Sequence, residues 1–112
     1  MEDARLPTHL EISGMIRAAQ DKGGFACVLQ SGERTAGTLL VLTMHNGENT
    51  MVWERMPRLD GRRKFSCTFR QDTEKPTDFE EYIARRKARD PDIWIIELDG
   101  PEMERLVESW PG

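Results

Sequence analysis

Gly37-Thr38-Leu39-Leu40-Val41-Leu42-Thr43-Met44 runs into His45-Asn46-Gly47-Glu48, and Thr50-Met51-Val52-Trp53-Glu54-Arg55-Met56 follows. This stretch decides the fold. An Asn-Gly pair between two apolar runs is the strongest short hairpin signal, because a type I′ turn needs positive φ at both central residues. The first run is apolar on both faces, as a central strand is. The second places Met51 and Trp53 on one side.

Working outward, Pro57 to Gly61 reads as a looser turn ending in Asp60-Gly61. Lys64 to Gln71 alternates, with Phe65, Cys67 and Phe69 inward. Upstream, Phe25 to Gln30 reads as a strand with Phe25, Cys27 and Leu29 on its inner face. Downstream, Thr77 and Glu80 form a capping box for a helix whose stripe is Phe79, Tyr82 and Ile83, stopped before Pro91. Asp92 to Asp99 is a strand apolar on both faces apart from Glu97. Asp99 then caps a last helix, with Glu102 as its capping-box partner and Met103, Leu106, Val107 and Trp110 facing the core.

The segment 8–13 supports two readings. Thr8-x-x-Glu11 has the form of a capping box, yet Thr8, Leu10 and Ile12 alternate as in a strand. We favour a strand followed by a short helix ending at Gly23-Gly24, because Gly14 suits a first turn better than a helix interior. The expectation is one α+β domain over 1–112, a mostly antiparallel sheet of about five strands with two or three helices on one face.

Composition bounds the function. The chain is 112 residues, 38% hydrophobic and 32% charged, with net charge −4. That balance argues against disorder and gives no global attraction to nucleic acid or anionic membrane. No apolar run approaches the ~20 residues that span a bilayer, and the first residues lack a secretory pattern. A cytoplasmic setting is therefore expected. Cys27 and Cys67 are far apart, so the default is a pair of reduced thiols.

Tyr82-Ile83-Ala84-Arg85-Arg86, the segment Asp90-Pro91-Asp92-Ile93-Trp94-Ile95-Ile96-Glu97-Leu98, and upstream Ser13 to Arg17, Gly32 and Ala36-Gly37 together resemble a small bacterial family, domain of unknown function 1491. Asp-Pro-Asp-x-Trp-x-x-Glu is the most specific part. The resemblance covers nearly the whole chain and implies a bacterial cytoplasmic setting. It brings no catalytic motif.

Several residues are candidates for chemistry. Asp90, Asp92 and Glu97 could gather as carboxylates, but Asp92 and Glu97 point to opposite faces of a strand. Asp90 and Pro91 also read as a helix stop, with Asp92 and Trp94 opening the strand. Glu97 inside an apolar strand needs a partner, and Arg86 is the expected one. Arg85, Arg86, Lys87 and Arg89 form either a phosphate stripe or the basic end that a helix dipole favours. From Arg55 to Arg70 six basic residues, Arg62 and Arg63 among them, stand against Asp60 alone. With Phe65 and Phe69 this could form a nucleic-acid surface, or the aromatics fill the core while the charges guard a sheet edge. Cys27 and Cys67 are expected to be buried. His9 and His45 have no metal spacing, and no cofactor or metal is expected.

Three function classes follow. The leading one is a small non-catalytic binding or accessory domain acting through protein contacts or self-association. The alternative is a nucleic-acid-binding module using residues 55–70. The third is a small enzyme using Glu97 or Asp92 with Arg86.

Overall fold

The structure, a computed structural model, describes residues 6–57, 59–61 and 63–111. Its elements run α1 (Thr8–Asp21), β1 (Phe25–Gln30), β2 (Leu39–His45), β3 (Glu48–Pro57), β4 (Arg63–Arg70), α2 (Pro76–Arg89), β5 (Trp94–Asp99) and α3 (Met103–Glu108). The five strands form one sheet in the order β1-β5-β2-β3-β4. β2 and β5 pair in parallel, and the other three pairings are antiparallel. The α+β class and the mostly antiparallel sheet are as the sequence led us to expect.

The central hairpin forms with positive φ at Asn46 (56°) and Gly47 (76°). Its turn is held from outside: Asp99 accepts hydrogen bonds from the backbone N–H of Asn46 (2.7 Å) and Gly47 (3.0 Å). Asp99 is thus a turn clamp and not the cap of α3. That helix begins at Met103, after Glu102 in a left-handed conformation with no side-chain cap.

The helices cover both faces of the sheet, not one. Leu39 and Val41 of β2, with Ile96 and Leu98 of β5, pack under α1 and α3 against Ile12, Met15, Met103 and Val107. Leu40, Leu42 and Ile95 point the other way, with Phe79, Tyr82 and Ile83 of α2 packed on them. The reason is legible in β2 itself: six consecutive buried residues leave apolar side chains on two faces, and each face needs a cover.

Three local expectations are corrected. First, residues 8–21 are one helix, with Gly14 in its interior. A Cβ at Gly14 would lie 3.9 Å from the Trp110 ring, an ordinary contact, so the packing there does not require glycine. Loop carbonyls satisfy the first turn: the N–H of Thr8 donates to Thr35 (3.0 Å) and that of His9 to Arg34 (2.9 Å). Second, the phase of β1 is reversed. Ala26 faces the α1 side opposite Leu98, while Phe25 is 80% exposed and Cys27 is exposed. Alternation gives a period but not which side is inside. Third, Phe65, Cys67 and Phe69 do not share a face. The register of β4 against β3 shifts at Thr68, so Phe65 joins the α1 side while Phe69 stacks on Tyr82 of α2.

Candidate functional site

Two polar features and one apolar edge stand out from this scaffold. The first is a cleft of about 640 Å³ lined by residues of the α1 start, the 35–39 segment, β3, Arg63 and Arg86. Past Trp53, β3 pairs with β4 only. Two Arg–Glu pairs occupy the cleft. Glu11 on α1 is 7% exposed and accepts Nη1 of Arg55 at 2.9 Å, its Nη2, and Nε1 of Trp110 at 3.0 Å. Nη2 of Arg55 also donates to the Pro111 carbonyl at 2.8 Å, and its guanidinium lies 4.7 Å from the Phe65 ring centre. This knot joins the first helix, the third strand and the tail.

On the other side of the cleft, Nη1 of Arg86 donates to both carboxylate oxygens of Glu54 (2.5 and 3.2 Å) and to the Tyr82 hydroxyl (3.1 Å). The bond to Glu54 raises the Arg86 pKa above its ordinary value, against the opposing effect of burial. Each of these half-buried guanidinium groups therefore already has a carboxylate. Of the described lining cations, Arg63 is the exposed one.

Arg86 does not meet Glu97: its partner is Glu54. Glu97 instead lines a second hollow of about 560 Å³, with Leu29, Leu42, Met44, Phe79 and Ile83, on the α2 side of the sheet. Sequence reading passed over Glu54, took Glu11 for a capping-box residue and placed Arg55 in the basic 55–70 run. Their signal was the same one that singled out Glu97, a charge inside an apolar pattern.

Asp90, Asp92 and Trp94 belong to a junction. The Asp90 carboxylate accepts the backbone N–H of Asp92 at 3.1 Å, closing the stop after α2. The Asp92 carbonyl accepts the N–H of Glu33 (3.0 Å), and Trp94 Nε1 donates to the Glu33 carbonyl (2.7 Å). A Cβ on Gly32 would lie 2.1 Å from the Asp92 oxygen, so only glycine allows this approach. The Asp-Pro-Asp-x-Trp segment and Gly32, distant in sequence, are two sides of one contact. Among the described residues no group of three or more His, Cys, Asp or Glu is placed to hold a metal ion.

The basic 55–70 segment is divided. Arg55 is engaged with Glu11, Phe65 is 1% exposed, and Phe69 lies against Tyr82 and Phe79. Neither phenylalanine offers a face for stacking bases. Arg58 and Arg62 lie outside the described residues.

The apolar edge is β1. Among the described residues it pairs with β5 alone, so its other side is a sheet edge. It reads Phe-Ala-Cys-Val-Leu-Gln, without a charge, and exposes Phe25 (80%), Val28 (40%) and Leu29 (46%). The opposite edge, β4, carries Arg63, Lys64 and Arg70. Charge on an edge strand discourages pairing with another chain, and β1 lacks that protection.

No described helix is long and apolar enough to cross a membrane. No curated protein matches the chain. A DUF1491 family protein from Caulobacter crescentus CB15 has a similar crystal structure, at 30% identity and TM-score 0.80, covering 96% of this chain and 98% of that one. An NMR structure of a DUF1491 family protein from that bacterium aligns at 29% identity and TM-score 0.75, covering 95% and 94%. Protein Atu0922 from A. tumefaciens shares the fold at 21% identity and TM-score 0.73, covering 96% and 97%. The model of the family described as protein of unknown function (DUF1491) matches residues 6–108, and with nearly the whole chain inside that match, the protein belongs to the DUF1491 family.

Proposed function

We infer that this domain is a non-catalytic binding module that takes an extended segment of a partner protein onto the outer edge of β1. The observation that carries this reading is the contrast between its two edges: β1 is uncharged and exposes Phe25, Val28 and Leu29, whereas β4 carries three cations. Strand addition gives affinity through main-chain hydrogen bonds, and side chains alternating along the added strand give specificity. The enzyme alternative needed Arg86 to converge with Glu97 or Asp92, and these residues lie in separate parts of the fold. The nucleic-acid alternative loses its aromatic platform. A reducing cytoplasm suits an exposed Cys27 on the docking strand.

The test is recovery of a tagged copy from its host lysate, with and without nuclease, beside a Phe25→Asp/Leu29→Asp variant of equal thermal stability. The expected result is a stoichiometric protein that survives nuclease and is lost from the variant. Recovery of nucleic acid alone, or of a protein indifferent to the two substitutions, overturns the reading.

A further inference from the structure

We propose that the segment docking on β1 presents a basic side chain, Lys or Arg, between two apolar ones, and that Glu97 receives its charge. This rests on the β1 edge being the docking element and specifies the chemistry of what docks there. Three observations lead to it.

Glu97 is a half-buried carboxylate with no hydrogen bond or ion pair to any described residue. It sits in a hollow whose other walls are largely apolar: Leu29, Leu42, Met44, Phe79 and Ile83. A carboxylate in such surroundings gains from a cation. The cation is not Arg86, which is bound to Glu54. Among its described lining residues the hollow holds Glu80, Glu97 and Asp99 against Lys87 alone, and Asp99 is engaged with the turn amides. Negative charge is in excess there.

The register places Glu97 within reach of the edge. Cys27 is the direct cross-strand partner of Glu97, so both side chains lie on the α2 side of the sheet. A strand added outside β1 puts the residue opposite Cys27 two strand spacings from Glu97, about 10 Å. Cys27 is small. A long basic side chain can lie across it, its stem on apolar surface and its charge at the carboxylate. The neighbour on one side then falls beside Phe25 and the other meets the β1 bulge that carries Leu29, both exposed apolar side chains.

The same argument disfavours a second copy of the chain as occupant. Phe25–Gln30 has no basic residue to offer. A strand of apolar–polar–basic–polar–apolar pattern is complementary, and β1 is not.

The experiment titrates the isotopically labelled protein with three blocked heptapeptides at low salt, followed by amide chemical shifts. The peptides are Thr-Ile-Thr-Lys-Thr-Ile-Thr and the same sequence with Gln or Glu at the centre. The lysine peptide should shift the amides of residues 25–30 and bind about three- to tenfold more tightly than the glutamine peptide. The glutamate peptide should bind least. In Glu97→Gln, whose melting temperature is checked against the parent, the lysine advantage should vanish while the glutamine peptide binds as before. Equal binding of the lysine and glutamine peptides overturns the role of Glu97 and leaves the edge reading standing. No shift along β1 with any peptide overturns both. Self-association through β1, seen by sedimentation and unchanged in Glu97→Gln, makes the occupant a second copy and also overturns the proposal.

Discussion

Replacing Glu11 by Ala tests the account of the cleft most directly. Its side chain is 9% exposed, and the carboxylate receives two bonds from Arg55 and one from Trp110. Truncation leaves the Arg55 guanidinium, 14% exposed, facing the space the carboxylate occupied. Its Nε is buried without a hydrogen-bond partner among the described residues, and the Pro111 carbonyl and the Phe65 ring are what remain to hold the group. Removing one partner of a buried pair costs roughly 3–5 kcal/mol. Residual solvent access reduces this to about 2–4 kcal/mol. At roughly 4 °C per kcal/mol for a domain of this size, the melting temperature should fall by about 8–16 °C. Urea unfolding followed by Trp fluorescence, with calorimetry beside it, measures both quantities. The double variant Glu11→Leu/Arg55→Met should recover most of the loss, because a buried pair exchanged for packed apolar groups is close to neutral. A Glu11→Ala loss below about 1 kcal/mol, or a double variant worse than the single one, would refute the view that these charges are sequestered and mutually dependent.

Three further outcomes are expected. Gly32→Ala should destabilise by more than about 3 kcal/mol or prevent folding, since its Cβ would lie 2.1 Å from the Asp92 carbonyl oxygen, whereas Gly14→Ala, with 3.9 Å to Trp110, should stabilise by about 0.5–1 kcal/mol through helix propensity; paired urea melts check both. Arg86→Met should cost about 1–2 kcal/mol, and the loss should be the same at pH 7 and pH 10: the folded pKa is raised, so the contribution is fully present below the ordinary arginine value and is lost only as the pH rises through the still higher folded one. Cys27 should react with a thiol reagent well before half-buried Cys67, and mass spectrometry of the partially labelled chain reads the order.

The sequence by itself determined the five strands from Phe25 onward, the Asn46-Gly47 turn, the family and the two strands that had to lie at the centre, while the strand it favoured at 8–13 is helix. These depend on local periodicity and turn stereochemistry, which few residues encode. It also pointed to Glu97 as a charge out of place. Only the tertiary structure decided which side of each strand was inside. Phe25, Cys27 and Leu29 alternate as well as any buried set, yet α2 packs over β2 and β3 and leaves them open, because period does not carry phase. The register shift at Thr68 turned Phe69 to the other face, which no alternation pattern foretells. Thr8 and Glu11 look like a capping box, but Thr8 Oγ1 donates to the Thr35 and Gly37 carbonyls and Glu11 binds Arg55. Partners 27 to 99 residues apart in sequence took those groups, and such pairings belong to the packed fold and not to any window of the chain.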